Sequence, residues 1–181
     1  GLNKHDIITP EPLEVLLKTL YFKLVFLSKV AVMNLDKIRI VLVETSHPGN
    51  IGSAARAMKI MGLSRLILVN PNQFPDPKAN ELASHADDIL AKAQVVKTLD
   101  EALESCSLVV GMSARDRVMS QTIMNPREIA SKVIKEYSSH SFVAFVFGRE
   151  NSGLNNRELE RCPFQVKIPA AGQYSSLNLA A

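Results

Sequence analysis

A polar segment at residues 47–58, His-Pro-Gly-Asn-Ile-Gly-Ser-Ala-Ala-Arg-Ala-Met, has the residue types of an anion-binding site. Gly49 and Gly52 would let backbone N–H groups come close to a ligand, because glycine carries no side chain. Asn50 is a competent N-cap for a helix that begins near Ile51. Since a helix N-terminus attracts negative charge, the segment suits a phosphate.

The helical repeat divides this segment into two faces. Gly52, Arg56 and Lys59 fall together on one face, and the apolar residues gather on another: Ile51, Ala54, Ala55, Met58 and Met61. Arg56 would therefore place a cation beside exposed backbone. A buried crossover helix whose arginine is merely solvated explains the same residues equally well, so the segment alone leaves both interpretations open.

Three further polar turns each follow an apolar run, at residues 112–115, 148–153 and 170–178. Open parallel sheets bind ligands outside the carboxyl ends of their strands, so turns that follow neighbouring strands would converge on one pocket. None of them contains GxGxxG or GxxxxGK[ST]. This absence argues against a nucleotidase, a kinase or a dehydrogenase.

The elements that would position these turns follow an alternating pattern. Short and nearly all-apolar runs predict strands at residues 38–43, 65–69, 95–96, 108–111, 142–147 and 165–168. Helical patterns lie between them, at 51–61, 79–90, 99–103, 125–137 and 155–161. Such alternation is typical of βαβ units, so we predict an α/β fold with a parallel sheet flanked by helices. The run at 142–147 is the most strand-like and predicts a central strand.

Composition limits the possible classes of protein. The chain has 181 residues, 46% of them hydrophobic, which is enough for one substantial core. Its net charge of +3 permits a nucleic-acid partner but is too small to require one. An aromatic content of 6% without tryptophan argues against a stacking platform for single-stranded bases.

The two cysteines, Cys106 and Cys162, lie far apart and have neither metal-ligand spacing nor the pattern of a disulfide framework. We therefore predict two inert free thiols, a cytoplasmic location and no metal site. Residues 1–32 form a distinct segment, in which lysines interrupt an apolar helical pattern. The pattern fits neither a membrane span nor a secretory signal. We predict an N-terminal extension there, or an added helix covering apolar surface, and a folded domain at 33–181.

Three of these segments carry motifs in a fixed order. They read Asn-x-Gly-x-x-x-Arg at residues 50–56, Phe-Gly-Arg-Glu-x-x-Gly-Leu at 147–154, and Ile-Pro followed by Ser-Ser-Leu-Asn-Leu within 168–179. The set resembles the motifs of SPOUT-class RNA 2′-O-ribose methyltransferases over about four-fifths of the chain. Within that class, the chain is most similar to members that methylate the ribose of cytidine or uridine 32 in the tRNA anticodon loop. That closer likeness rests on residues 43–47, 113–115 and 174–178.

The resemblance implies a SPOUT fold with a C-terminal trefoil knot whose loops bind S-adenosylmethionine. It implies these cofactor contacts: Met112, Ser113, Ala114, Gly148, Ile168, Ser175, Ser176 and Leu177. It implies Arg56 as the catalytic residue, with the other polar motif positions at Asn50, Glu150 and Asn178. The implied partners are tRNA, contacted by Arg56, Lys59 and Arg115, and a second copy in a homodimer.

Several alternatives stay open from the sequence. Glu150 could be an exposed turn acid or the partner of Arg149. Lys59, Arg115 and Arg117 could form an RNA-facing patch or a solvated surface. Family members continue into a helix that threads the knot, whereas this chain stops at Ala181. We expect either a truncated form with an incomplete knot or partial replacement of that packing by the N-terminal helix. The alternatives to an enzyme are a cofactor-binding but inactive RNA-binding domain and a plain α/β interaction module.

Overall fold

The structure, a computed structural model, describes residues 35–113, 122–136 and 141–167. In that part of the chain the strands are β1 (Ile38–Val43), β2 (Arg65–Val69), β3 (Gln94–Val96), β4 (Cys106–Ser113), β5 (Thr122–Met124), β6 (Phe142–Phe147) and β7 (Phe164–Lys167). The helices are α1 (Pro48–Met61), α2 (Pro77–Ala83), α3 (Asp87–Lys92), α4 (Leu99–Ala102), α5 (Pro126–Glu136) and α6 (Asn156–Glu160). A 3-10 turn at Leu35–Lys37 precedes β1.

The described strands form one parallel sheet in the order β3-β2-β1-β6-β4-β7-β5. The predicted α/β class is therefore confirmed, and β6 lies in the middle of the sheet as its apolar run predicts. Strands buried on both faces need apolar residues at every position, which explains why β1 and β6 show no polar alternation. The predicted knot falls in segments outside the described residues.

Helices cover both faces of the sheet, and β1 contributes to the core on each side. Ile40 and Leu42 pack into the larger cluster, with α1, α2, α3 and α5, whereas Val41 and Val43 pack into the smaller cluster, with α4 and α6. This alternation follows from the two-residue side-chain period of a strand. Both faces of β1 are therefore fixed, which holds the loop after Val43 in place.

Helix α1 ends where the sequence predicts. Gly62 adopts a left-handed conformation, with φ 76°, and its N–H and that of Leu63 bond to carbonyls of the last turn. Its beginning differs from the prediction, because the helix starts at Pro48 and the N-cap position is His47. The expectation that Asn50 caps the helix is therefore wrong.

The pattern left two strand features unpredicted. β5 is only three residues long and mostly exposed, so it carries no apolar run that sequence periodicity could detect. β4 extends through Ser113, so Met112 and Ser113 belong to a strand rather than to the polar turn expected there. The other predicted strands and helices are present within a few residues of their expected bounds.

Three further observations concern the cysteines, membrane spans and metal ligands of the described residues. Cys106 and Cys162 are both free thiols. Within the described ranges, no helix is long and apolar enough to cross a bilayer. Over the same residues, no group of three or more histidine, cysteine or acidic side chains is placed to hold a metal ion.

Candidate active site

The carboxyl ends of three adjacent strands bring the described motif residues together. In the sheet register, Phe147 of β6 pairs with Leu42 of β1 on one side and with Met112 of β4 on the other. The loop after β1, the turn after β6 and the end of β4 therefore lie side by side. Parallel sheets place ligand crevices at this edge. The ends of β4 and β6 are neighbours, as the predicted convergence requires, but the turn beyond Ser113 lies outside the described residues.

The carboxylate of Glu150 occupies the N-terminus of α1. The Ser46 N–H lies 3.0 Å from both Glu150 oxygens, and the His47 N–H donates to Oε2 at 2.9 Å. Asn50 Nδ2 donates to the same Oε2 at 2.9 Å. The sequence correctly indicates an anion at this helix end, but the anion in the structure belongs to the chain itself.

These hydrogen bonds favour the ionised form of Glu150. Partial burial raises the pKa of its carboxyl, but the hydrogen bonds from Ser46, His47 and Asn50 outweigh that effect, so the pKa is lowered. A carboxylate with a lowered pKa is a weak base. Glu150 is therefore better suited to hold the loop than to accept a proton from a substrate.

Arg149 binds two carboxylates other than that of Glu150. Its Nη1 and Nη2 donate to the two oxygens of Glu158 at 2.8 and 3.1 Å, and Nη2 also pairs with Glu44. The hydrogen bond that Arg149 donates to Glu158 is the main cause that raises the pKa of Arg149; burial opposes this effect, and Glu44 adds to it. The interpretation of Glu150 as the partner of Arg149 is therefore wrong.

The turn that carries both residues is tight. Arg149 and Gly153 exchange two backbone hydrogen bonds, at 3.1 and 2.9 Å, and Gly153 has φ 68°. A Cβ on Gly148 would lie 2.2 Å from the Gly153 carbonyl carbon, so no side chain fits at position 148. Glycine is required here by the approach of two backbone segments.

Gly49 and Gly52 have a different role from the one predicted. A Cβ on Gly52 would lie 2.1 Å from the carbonyl oxygen of Ala79, and one on Gly49 would lie 2.7 Å from the Leu82 side chain. Both glycines therefore let α2 pack closely on α1. The expectation that Gly52 shares an open face with Arg56 is wrong, because Gly52 is buried beneath α2.

Arg56 and Lys59 lie on the exposed side of α1. No described residue forms a hydrogen bond or ion pair with the Arg56 guanidinium, so this cation can meet an external anion. Lys59 Nζ instead pairs with Asp88 of α3 at 2.7 Å, with both side chains 51% exposed. Of these two cations, which the resemblance assigns to RNA binding, only Lys59 has an ion pair with a described residue.

Only three of the predicted cofactor residues lie in the described part of the chain. Met112, Ser113 and Gly148 lie at the ends of β4 and β6, and the first two are buried. The remaining predicted cofactor contacts fall outside the described residues: Ala114, Ile168, Ser175, Ser176 and Leu177. The predicted RNA contact Arg115 and the polar motif residue Asn178 also fall outside them.

The chain is similar in sequence to proteins of a known family. Residues 37–181 match the SpoU rRNA Methylase family. The chain belongs to this family. It is 56% identical, over 147 residues, to the Pseudomonas aeruginosa tRNA (cytidine/uridine/adenosine-2′-O-)-methyltransferase TrmJ, a match that covers 81% of this chain and 57% of the relative.

Two solved structures share the fold. A probable methylase family protein from Haemophilus influenzae has a TM-score of 0.71 and 52% identity, covering 81% of this chain and 61% of that one. TrmJ from Z. mobilis has a TM-score of 0.67 and 37% identity, covering 78% and 63%. This chain therefore spans less than two thirds of the length of each of these relatives.

Sequence reasoning missed the residues that hold the family's second motif. It assigned no role to Glu44 and Glu158, and it treated Arg149 only as a neighbour of Glu150. One local signal was available, since Asn155 and Glu158 form a capping box at the start of α6. The ion pairs themselves join residues 105 and 9 positions apart, and no local pattern indicates such partners.

Proposed function

We propose that this chain forms the catalytic part of an S-adenosylmethionine-dependent methyltransferase that modifies a ribose 2′-hydroxyl in tRNA. The proposed target is cytidine or uridine 32 of the anticodon loop. One observation carries the proposal: the exposed Arg56, without a described partner, projects from a helix whose N-terminus is locked to the second motif through Glu150. The TrmJ relative at 56% identity supports the reaction and the RNA substrate.

Methyl transfer to a hydroxyl requires alignment and loss of a proton. Bound S-adenosylmethionine would supply an electrophilic methyl group on its sulfonium. The chain's own residues would hold the ribose hydroxyl in line with that carbon and promote its deprotonation.

Arg56 is unsuited to act as the base, because a guanidinium stays protonated in proteins. Its planar fork would instead grip the phosphate next to the ribose and favour ionisation of the hydroxyl. The phosphate or a water molecule would take the proton. Glu150 would not, because its hydrogen bonds already lower its pKa.

The described end of the sheet fits part of an adenosine-binding site. Met112 and Phe147 lie in register at the ends of adjacent strands and are buried, which provides an apolar wall. Gly148 follows directly after Phe147, so its backbone groups would be available to the cofactor at this strand end. Ser113 would add a polar contact, and the other proposed cofactor contacts are Ala114, Ile168, Ser175, Ser176 and Leu177.

RNA binding would depend mainly on Arg56 in this part of the chain, with Arg115 as a further contact. Lys59 would first have to exchange its ion pair with Asp88, which is exposed and therefore weak. Phosphate contacts of this kind fix the position of an RNA without reading its bases.

The wider organisation is also a proposal. Residues 33–181 would form the methyltransferase domain, with residues 1–32 outside it. The chain would act as a homodimer in the cytoplasm, where a tRNA-modifying enzyme of the kind that the relatives' names describe would meet its substrate. Asn178 would be the remaining polar motif residue at the site.

The deciding experiment is methyl incorporation from labelled S-adenosylmethionine into unmodified tRNA, followed by nucleoside analysis. We expect 2′-O-methylcytidine or 2′-O-methyluridine from the parent chain and none from Arg56→Ala. Calorimetric titration with the cofactor, run in parallel, detects binding without turnover. Cofactor binding by the parent without incorporation would instead favour an inactive RNA-binding domain.

A further inference from the structure

We propose that Arg149 is a positioning residue that fixes the turn after β6 so that Glu150 reaches the N-terminus of α1. The Arg149 cluster, defined as Glu44, Arg149 and Glu158, would thereby set the orientation of the helix that carries Arg56. The inference rests on the proposed function, because it assigns Arg149 a part in the same site.

The Arg149 cluster joins three segments of the fold. Glu44 belongs to the loop after β1, Arg149 to the turn after β6, and Glu158 to the first turn of α6. Arg149 Nη1 also donates to the Gly153 carbonyl at 3.3 Å, which ties the guanidinium to its own turn. A planar guanidinium can serve all of these acceptors at once because its donors point in fixed directions.

Burial makes the pair with Glu158 the stronger anchor. The side chains of Arg149 and Glu158 are 23% and 12% exposed, whereas that of Glu44 is 40% exposed. Ion pairs shielded from water keep more of their attraction than exposed pairs. Glu158 itself is held by the N–H of Asn155 at 2.8 Å, so the anchor does not move freely.

Adjacent residues of one turn bind nearby positions of the same loop. Arg149 contacts Glu44, and the next residue, Glu150, contacts Ser46 and His47. Glu44 has φ 48°, a conformation that few residues other than glycine adopt. The contact with Arg149 therefore helps to hold Glu44 in this strained conformation, and the two contacts together fix how the turn meets the loop.

Release of the turn would disturb Asn50 as well. Asn50 is only 6% exposed, and its side-chain amide donates to Glu150. Without Glu150 in place, the buried amide would lose that acceptor, which is unfavourable. Arg56 lies on the same helix, so its direction relative to the ends of β4 and β6 depends on these contacts.

Arg149→Lys tests this inference because it keeps the charge and removes the planar fork. The readout is the pKa of the Glu150 carboxyl, followed by NMR in the full chain with 13C-labelled glutamate and assigned with Glu150→Gln. The charged or titratable groups near Glu150 are His47, Glu44 and Arg149. We expect the pKa to rise towards its ordinary value in Arg149→Lys. An unchanged pKa would overturn the inference.

A matched control separates position from charge and from general damage. Arg161→Lys makes the same substitution at an exposed pair with Asp100, 3.1 Å apart, and should leave the pKa of Glu150 unchanged. If Arg149→Lys does not fold, Glu158→Gln replaces it, since Glu158 is the stronger anchor of Arg149. The same direction of change is expected, and no change in that variant would equally overturn the inference.

Kinetics provide the second readout. We expect kcat for tRNA methylation to fall about ten-fold in Arg149→Lys, with the KM for S-adenosylmethionine within about two-fold of the parent. A raised pKa of Glu150 with unchanged kcat would overturn the positioning role. The two proposals fail differently: a parent chain without turnover would contradict the proposed function, whereas the pKa measurement needs no activity.

Discussion

Asn50 Nδ2 donates to Glu150 Oε2 at 2.9 Å, a contact between residues 100 positions apart in the chain. Each residue belongs to a different family motif, and the contact makes the two motifs one structural unit. The ionised Glu150 satisfies a buried amide and a helix N-terminus at the same time. The second motif's turn is therefore bonded directly to the N-terminus of the first motif's helix.

Replacement of Glu150 by glutamine should make the protein less stable in a pH-dependent way. The pKa of Glu150 is lowered in the folded protein, so its stabilisation is present above the ordinary value of 4.5 and is lost as pH falls through the folded value. We expect the variant to lose about 1–2 kcal/mol of unfolding free energy at pH 7. Urea unfolding of both proteins at pH 7 and at progressively lower pH measures the difference between their unfolding free energies. This difference should become smaller as the pH falls.

Glu81→Gln is the control for that comparison. Glu81 pairs with Lys78 at 3.3 Å, but both side chains are more than half exposed. Its replacement should change stability by less than about 0.5 kcal/mol. A constant difference between parent and Glu150→Gln at every pH would contradict the ionised role of Glu150.

Arg56→Lys should separate binding from turnover. The variant keeps the positive charge, so we expect much of the tRNA affinity to remain, but it cannot grip a phosphate through two parallel hydrogen bonds. Turnover should fall at least about ten-fold. Thermal unfolding should be unaffected, since Arg56 is exposed and no described residue pairs with it. Turnover equal to the parent's would rule out the bidentate role.

Gly52→Ala should destabilise the fold. The added Cβ would lie 2.1 Å from the Ala79 carbonyl oxygen, so α2 would have to move away from α1. We expect a loss of about 1–3 kcal/mol, measured by urea unfolding. Ser53→Ala, at the next position of the same helix, is the control and should have a small effect. Unchanged stability in Gly52→Ala would contradict the packing role of this glycine.

The two thiols should react slowly in the native protein. Burial raises the pKa of Cys162 to about 12, and burial also raises the pKa of Cys106, whose exposure is intermediate. Only the thiolate is reactive, so little of either side chain is reactive at pH 8. A chromogenic disulfide reagent should label Cys106 before Cys162, and both should react quickly in urea. Fast native labelling of Cys162 would contradict the burial seen here.

The sheet was predictable because its signal lies in continuous sequence. The apolar run of β6 and the glycine that ends α1 each act through neighbours in the chain, and both predictions are confirmed. β5 was missed because three mostly exposed residues carry no periodic pattern. Sequence patterns therefore predict a strand or helix where consecutive residues are buried, and they fail for short exposed strands.

The site was predictable only in its residue types. Asn50 has the side chain of an N-cap, yet it acts as a long-range donor, because an amide serves either role and sequence does not name its acceptor. Gly52 likewise fits ligand approach and helix packing equally well until the position of Ala79 is known. The roles of Arg149 and Glu44 depend on the pairing of distant strands and could not be predicted locally.

The pairing of β1 with β6 also sets the order in which the site can assemble. Ile40 pairs with Phe145 across the sheet, so a long intervening stretch of chain must fold back before the two loops meet. Contacts between distant residues form slowly, because the entropy of closing a long loop is lost before the contact compensates. A chain synthesised only as far as α3 therefore contains Arg56 but not the turn that orients it. The proposed tRNA site is therefore expected to form late, once the central strand is in place.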